Sequence, residues 1–111
     1  MTIQYKSETF DLTTTNITTV LTCPSDATIL VKSFQASHQT ASNVDVDAYL
    51  QKSGGSNVEI SHAQLNKNFT NMISDTLALE ASDVLKVQDD TADAITAVVS
   101  YALIDRSQKN G

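Results

Sequence analysis

Apolar and polar residues alternate along most of this chain. The clearest run is Val44 to Gln51: Val44, Val46, Ala48 and Leu50 share one face, and Asp45, Asp47, Tyr49 and Gln51 share the other. A period of two sustained this long predicts a half-buried strand. The loop Ser53-Gly54-Gly55-Ser56 follows, and beyond it Val58 and Ile60 fall on one face of a second run, so the pair predicts a β-hairpin. The segment Ala94 to Ile104 is apolar on both faces and rich in Val, Ile and Tyr, the signature of a central strand covered on both sides. Thr28 to His38 has the same character. Ile17 to Thr22 and Ile3 to Phe10 are further strands, separated by the polar loop Thr13 to Asn16.

Leu77 to Asp90 (LALEASDVLKVQDD) is ambiguous in isolation. Leu, Ala, Glu and Lys favour helix, yet two short alternating runs flank Ala81-Ser82-Asp83, where Ser and Asp side chains can bond nearby backbone. A helix here would interrupt a regular series of strands and end on Asp89-Asp90, against the helix dipole. A hairpin, strand-turn-strand, is the consistent reading. Only Ala63 to Ile73, rich in Asn, reads as a helical piece or a long loop. The predicted fold class is all-β, an antiparallel β-sandwich of jelly-roll or immunoglobulin-like type. Its core holds Val44, Val46, Leu50, Ile60, Leu79, Leu85, Val87, Val99 and Tyr101.

The 111 residues make a single domain, 1–111, with a polar, flexible tail over 106–111. Trp is absent and aromatics are few, so the core rests on aliphatic side chains. Net charge is −6 with the seven basic residues scattered, which excludes a phosphate-binding surface and disfavours anionic membranes. The opening residues lack an apolar signal core, and no segment has the length of a membrane span. The expectation is a soluble protein made in a cytoplasm. A single cysteine, Cys23, permits no internal disulfide and reads as a small buried hydrophobe.

Candidate chemistry is sparse. His38 ends a strand and is expected at the surface; His62 is in phase with Val58 and Ile60 and reads as a packed or rim histidine. Neither belongs to a metal-ligand motif. Asp89, Asp90 and Asp93 lack the glycine and bidentate Glu of a calcium loop and read as a solvated hairpin loop. Asp45 and Asp47 share a strand face, as paired glycosidase carboxylates can, but simple exposure explains them equally. The patterns Asn16-Ile17-Thr18 and Asn68-Phe69-Thr70 match glycosylation acceptors without a secretory signal to give them meaning. No enzyme, cofactor or metal site is expected.

The runs VLTCPSDATILVKSFQASHQTASNVDVDAYLQKSGG and LALEASDVLKVQDDTADAITAVVSYALI resemble small β-sandwich virion proteins of tailed bacteriophages, a resemblance that covers about residues 17–104. The shared features are a strand ending near Cys-Pro, the VKS strand, the VDV strand, an LEAGDVL-like hairpin and the final VVSY strand. Ser82 stands where glycine is common. The resemblance implies a capsid decoration (cement) protein that binds and stabilises the assembled shell of major capsid protein. It further implies a homotrimer, made in the host cytoplasm and located on the virion surface. A small tail, neck or fibre component is the alternative. The candidate partner contacts are Thr2, Ile3, Tyr5 and Phe10 in the first strand, and Asn66, Asn68, Phe69 and Asn71 in the Asn-rich segment. A rival class is a carbohydrate-binding module, with Tyr49 on the Asp45/Asp47 face as the best sugar platform.

Overall fold

A computed structural model describes residues 2–38, 42–73 and 75–106, and every regular element among them is a strand. The nine strands are β1 (Thr2–Leu12), β2 (Thr18–Thr22), β3 (Ala27–His38), β4 (Val44–Gln51), β5 (Asn57–Leu65), β6 (Phe69–Ile73), β7 (Leu77–Leu79), β8 (Val84–Asp89) and β9 (Ile95–Asp105). They form two antiparallel sheets. One is ordered β1-β9-β3-β6, with β7 also paired to β3; the other is ordered β2-β8-β4-β5. The pairings nest: β4 with β5, β3 with β6 and β7, β2 with β8, and β1 with β9. A long hairpin rolled over into two sheets is a jelly roll. It meets the predicted β-sandwich and selects the first of the two predicted types.

Alternation supplies the core. Val44, Val46 and Ala48 of β4 and Leu85 and Val87 of β8 face Ile29, Val31, Phe34 and Ala36 of β3 and Ile95, Ala97, Val99 and Tyr101 of β9, all buried. Burying a side chain of Leu or Phe size contributes about 2 kcal/mol, so these strands hold the sheets together. Val31 and Phe34 are three apart, which strict alternation would place on opposite faces. A bulge between Val31 and Ser33 restores the phase and leaves Lys32 exposed.

Several expectations are corrected. Leu77 to Asp90 is strand, turn and strand, but not a hairpin: β7 pairs with β3 and β8 with β4 and β2, so the turn carries the chain from one sheet to the other. Asp90 to Asp93 likewise bridges the sheets from β8 to β9 and is not a hairpin loop. Ala63 to Ile73 is neither helix nor long loop; β5 runs to Leu65 and β6 starts at Phe69. Ile60 is not core. The β4–β5 register shifts between Ala48 and Tyr49, leaving Ile60 as the extra residue, 38% exposed, with Val58 at 59%. Leu50 is only partly buried, against the edge of the core. Of the expected tail, Arg106 is tied down, donating from its amide to Asp26 O (2.8 Å) and from Nη2 to Ala27 O (3.1 Å). Residues 107–111 lie outside the described residues.

The turn between β7 and β8 shows why its sequence folds that way. Ser82 has φ 68°, in the left-handed region that glycine adopts more easily than serine. Asp83, 1% exposed, accepts from the amide of Glu80 (2.9 Å) through Oδ2 and from that of Ser53 (3.1 Å) through Oδ1. Lys52 Nζ bonds the same carboxylate, so Asp83 ties the β4–β5 loop to the β7–β8 turn.

Candidate functional site

Two surfaces could carry function. The first is β1, an edge strand of 11 residues whose first eight are exposed on both faces. Registered against β9, its even-numbered residues lie on the inner face of the sheet, Glu8 opposite Val99 and Lys6 opposite Tyr101. The neighbouring edge strand of the other sheet, β2, has 5 residues and leaves this half of β1 uncovered. Ile3 (50% exposed) and Tyr5 (79%) project from the outer face. Tyr101 donates its hydroxyl to Glu8 Oε2; burial, reinforced by that carboxylate, pushes the phenol up to about 12. Between the sheets at this edge runs a cleft of about 280 Å³ lined by Val20, Leu21, Pro24, Ile29 and Leu103 as well as Glu8 and Tyr101.

The predicted partner residues do not converge on one place. Thr2, Ile3 and Tyr5 sit on the uncovered half of β1, whereas Phe10 is half-buried, its ring 6.1 Å from that of Phe34. Asn66 and Asn68 form the β5–β6 turn: Asn68 Oδ1 accepts from the Asn66 amide (2.7 Å), and Asn66 Nδ2 donates to Asn43 (2.9 Å). Phe69 (64% exposed) and Asn71 lie on β6, at the opposite edge of the same sheet from β1.

The second surface is the outer face of the four-stranded sheet. Thr15, Asp45, Asp47, His62, Gln88 and Asp90, with the end of β8 at Asp89, line an open cleft of about 350 Å³. Asp45 accepts from Gln64 Nε2 (3.2 Å), and Asp47 Oδ1 pairs with His62 Nδ1, which raises the imidazole pKa. The bulge at Ile60 turns Glu59 to the same face, so donor atoms of Asp47, Glu59 and His62 lie within 4.8 Å of one another. Linear spacing gave no sign of this trio. It supplies three ligands where structural zinc takes four, and Glu59 and His62 are exposed. Tyr49, the candidate sugar platform, is half-buried and donates to Gln88 Oε1 (3.3 Å).

His38 and Asp89 overturn the sequence reading. His38 is 2% exposed, not at the surface; its Nδ1 is 3.1 Å from Ala94 O and its Nε2 2.8 Å from Ser42 O. Asp89 is 3% exposed, not solvated. It pairs in register with the buried Val46, both its carboxylate oxygens lack a hydrogen-bond partner among the described residues, and burial, with the charges of Asp90 and Asp93, pushes its pKa up to about 6. Phase would have found both: His38 continues Phe34 and Ala36, and Asp89 continues Leu85 and Val87. Cys23 is buried as expected, its thiol donating to Ala27 O and Leu79 O, both at 3.3 Å.

Comparison with protein-family models and with curated proteins finds no match. Among solved structures the chain is similar to one from a study of Bacillus endospore appendages, described as a novel family of disulfide-linked pili. Identity is 10%, the alignment covers 96% of this chain and 90% of that one, and the TM-score is 0.54. That likeness concerns the fold.

Proposed function

We propose that this chain is a structural subunit of a tailed-bacteriophage virion, a decoration protein that binds the assembled shell and stabilises it. One observation carries the reading: a jelly roll keeps half of its first strand, with Ile3 and Tyr5, outside its own sandwich. A free edge of this length offers backbone hydrogen bonds and side chains to another chain, as in strand-addition modes of recognition. The resemblance of residues 17–104 to virion β-sandwich proteins supplies the particle. On this reading the partner is the major capsid protein, the protein is a homo-oligomer, and it joins the shell in the host cytoplasm. Binding the finished lattice better than free subunits shifts the equilibrium towards the lattice.

A second reading is favoured by the pilus likeness: the same free edge would join copies of this chain into a filament, on the virion tail or elsewhere. Binding of the labelled protein to expanded shells, unexpanded precursors and free capsid subunits tests the proposal. Preference for expanded shells is the expected result. Equal affinity for all three, or label confined to tails in micrographs, would overturn it, and filaments formed by the purified protein alone would support the second reading.

A further inference from the structure

We propose that two copies of this chain pair through β1, antiparallel about a two-fold axis at Ser7, joining their five-stranded sheets into one. The inference goes beyond the proposed function: it gives the backbone edge of β1 to a second copy and leaves the outer-face side chains Ile3 and Tyr5 of both copies exposed for the shell.

The strand's own residues select this arrangement. For each copy to keep its inner face on the same side of a joined sheet, the axis must pass through a residue and not between two. An axis at Lys6 would set Lys6 against Lys6, and one at Glu8 would set Glu8 against Glu8. An axis at Ser7 sets Lys6 opposite Glu8 of the partner subunit, twice, and unlike charges directly opposite are the favourable cross-strand pair. Ser7 is also the midpoint of Thr2–Leu12, so this register pairs the strand over its whole length. Lys6 and Glu8 lie on the inner face, where the short β2 leaves them exposed. Inward charges on an edge strand often guard against pairing, by repulsion between like charges. Here they alternate in sign and are complementary to themselves. Glu8 receives Tyr101 through Oε2, which leaves Oε1 for the lysine of the other copy. The contact is isologous and closes at two copies; a trimer would need other surfaces.

Sedimentation velocity on the full chain tests the pairing, with circular dichroism to verify folding. The wild type is expected to dimerise at tens of micromolar. Lys6→Glu, which retains the Glu8–Tyr101 bond, and Glu8→Lys should each weaken dimerisation by roughly tenfold, from two lost charge pairs and two like-charge contacts. The double swap K6E/E8K should return within about threefold of wild type, because it restores both pairs in reverse. A monomeric or trimeric wild type, or a double swap as weak as the single variants, would overturn the proposal. Shell binding is read separately. A monomer that still prefers expanded shells removes this pairing and leaves the proposed function standing; a dimer indifferent to shells does the reverse.

Discussion

Asp83 and Asp89 begin and end the same short stretch of chain, the first just before β8 and the second at its last residue, and both are buried. Their fates are opposite. Burial works against ionisation of Asp83, but Lys52 and the amides of Glu80 and Ser53 outweigh it and hold the carboxyl below its usual range. Asp89 has no partner for either oxygen among the described residues, and burial takes its carboxyl up to about 6. What differs is whether donors converge. A carboxylate at a turn meets backbone amides pointing inward; Asp89, on the inner face of a strand, meets the buried Val46 opposite and the like charges of Asp90 and Asp93 nearby.

The signs follow by linkage. The raised Asp89 contributes stability in full below about pH 4, which is lost as pH rises through about 6; the lowered Asp83 contributes stability above about pH 4, lost as pH falls through its folded value. The strongest way to stress the comparison is Val46→Asp, which puts a second unpartnered carboxylate directly opposite Asp89. It should cost about 4 kcal/mol or more near neutral pH and recover in part at pH 5, measured by urea midpoints. Asp83→Ala strips the amides of Glu80 and Ser53 of their acceptor and should cost about 2 kcal/mol at pH 7 by the same measurement. Asp89→Asn removes the ionisation penalty. It should stabilise the fold by about 1–2 kcal/mol at pH 7 and flatten the slope of stability between pH 4 and 6; an unchanged slope would show that another group governs this window. Ser82→Gly relieves the left-handed backbone beside Asp83 and should raise stability by about 0.5–1 kcal/mol in thermal melts. Asp47→Asn, on the solvent face, should change it by under about 0.5 kcal/mol, while the His62 titration seen by NMR moves down.

Most strands were legible because the half-buried sheet writes its two faces into the sequence, as Val44 to Gln51 shows. The misses have physical causes. Ile60 and Glu59 follow a bulge, one extra residue that reverses a phase no local pattern announces. The turn at Ser82-Asp83 has the same chemistry whether its flanking strands pair with each other or part into different sheets, so its place in the topology was hidden. His38 and Asp89 were assigned by residue type when their phase pointed inward. Of the candidate sites, the edge at Ile3 and Tyr5 was visible as a strand, but its lack of cover depends on the shortness of β2, a relation between segments distant in sequence.

The nested order of pairing also governs how the chain acquires its structure. The β4–β5 hairpin closes over a short loop, whereas Thr2 lies opposite Asp105 and waits for it across almost the entire domain. Both β1 and β3 pair with β9, so a strand late in this sequence lies inside the five-stranded sheet. Neither neighbour has that partner until β9 has left the ribosome. Early in synthesis β1 is an unpaired strand in a crowded cell, and closing it is the slowest kind of contact to make, one separated by most of the chain. Completion of the five-stranded sheet therefore waits for β9, and until then β1 lacks the partner that covers its inner edge.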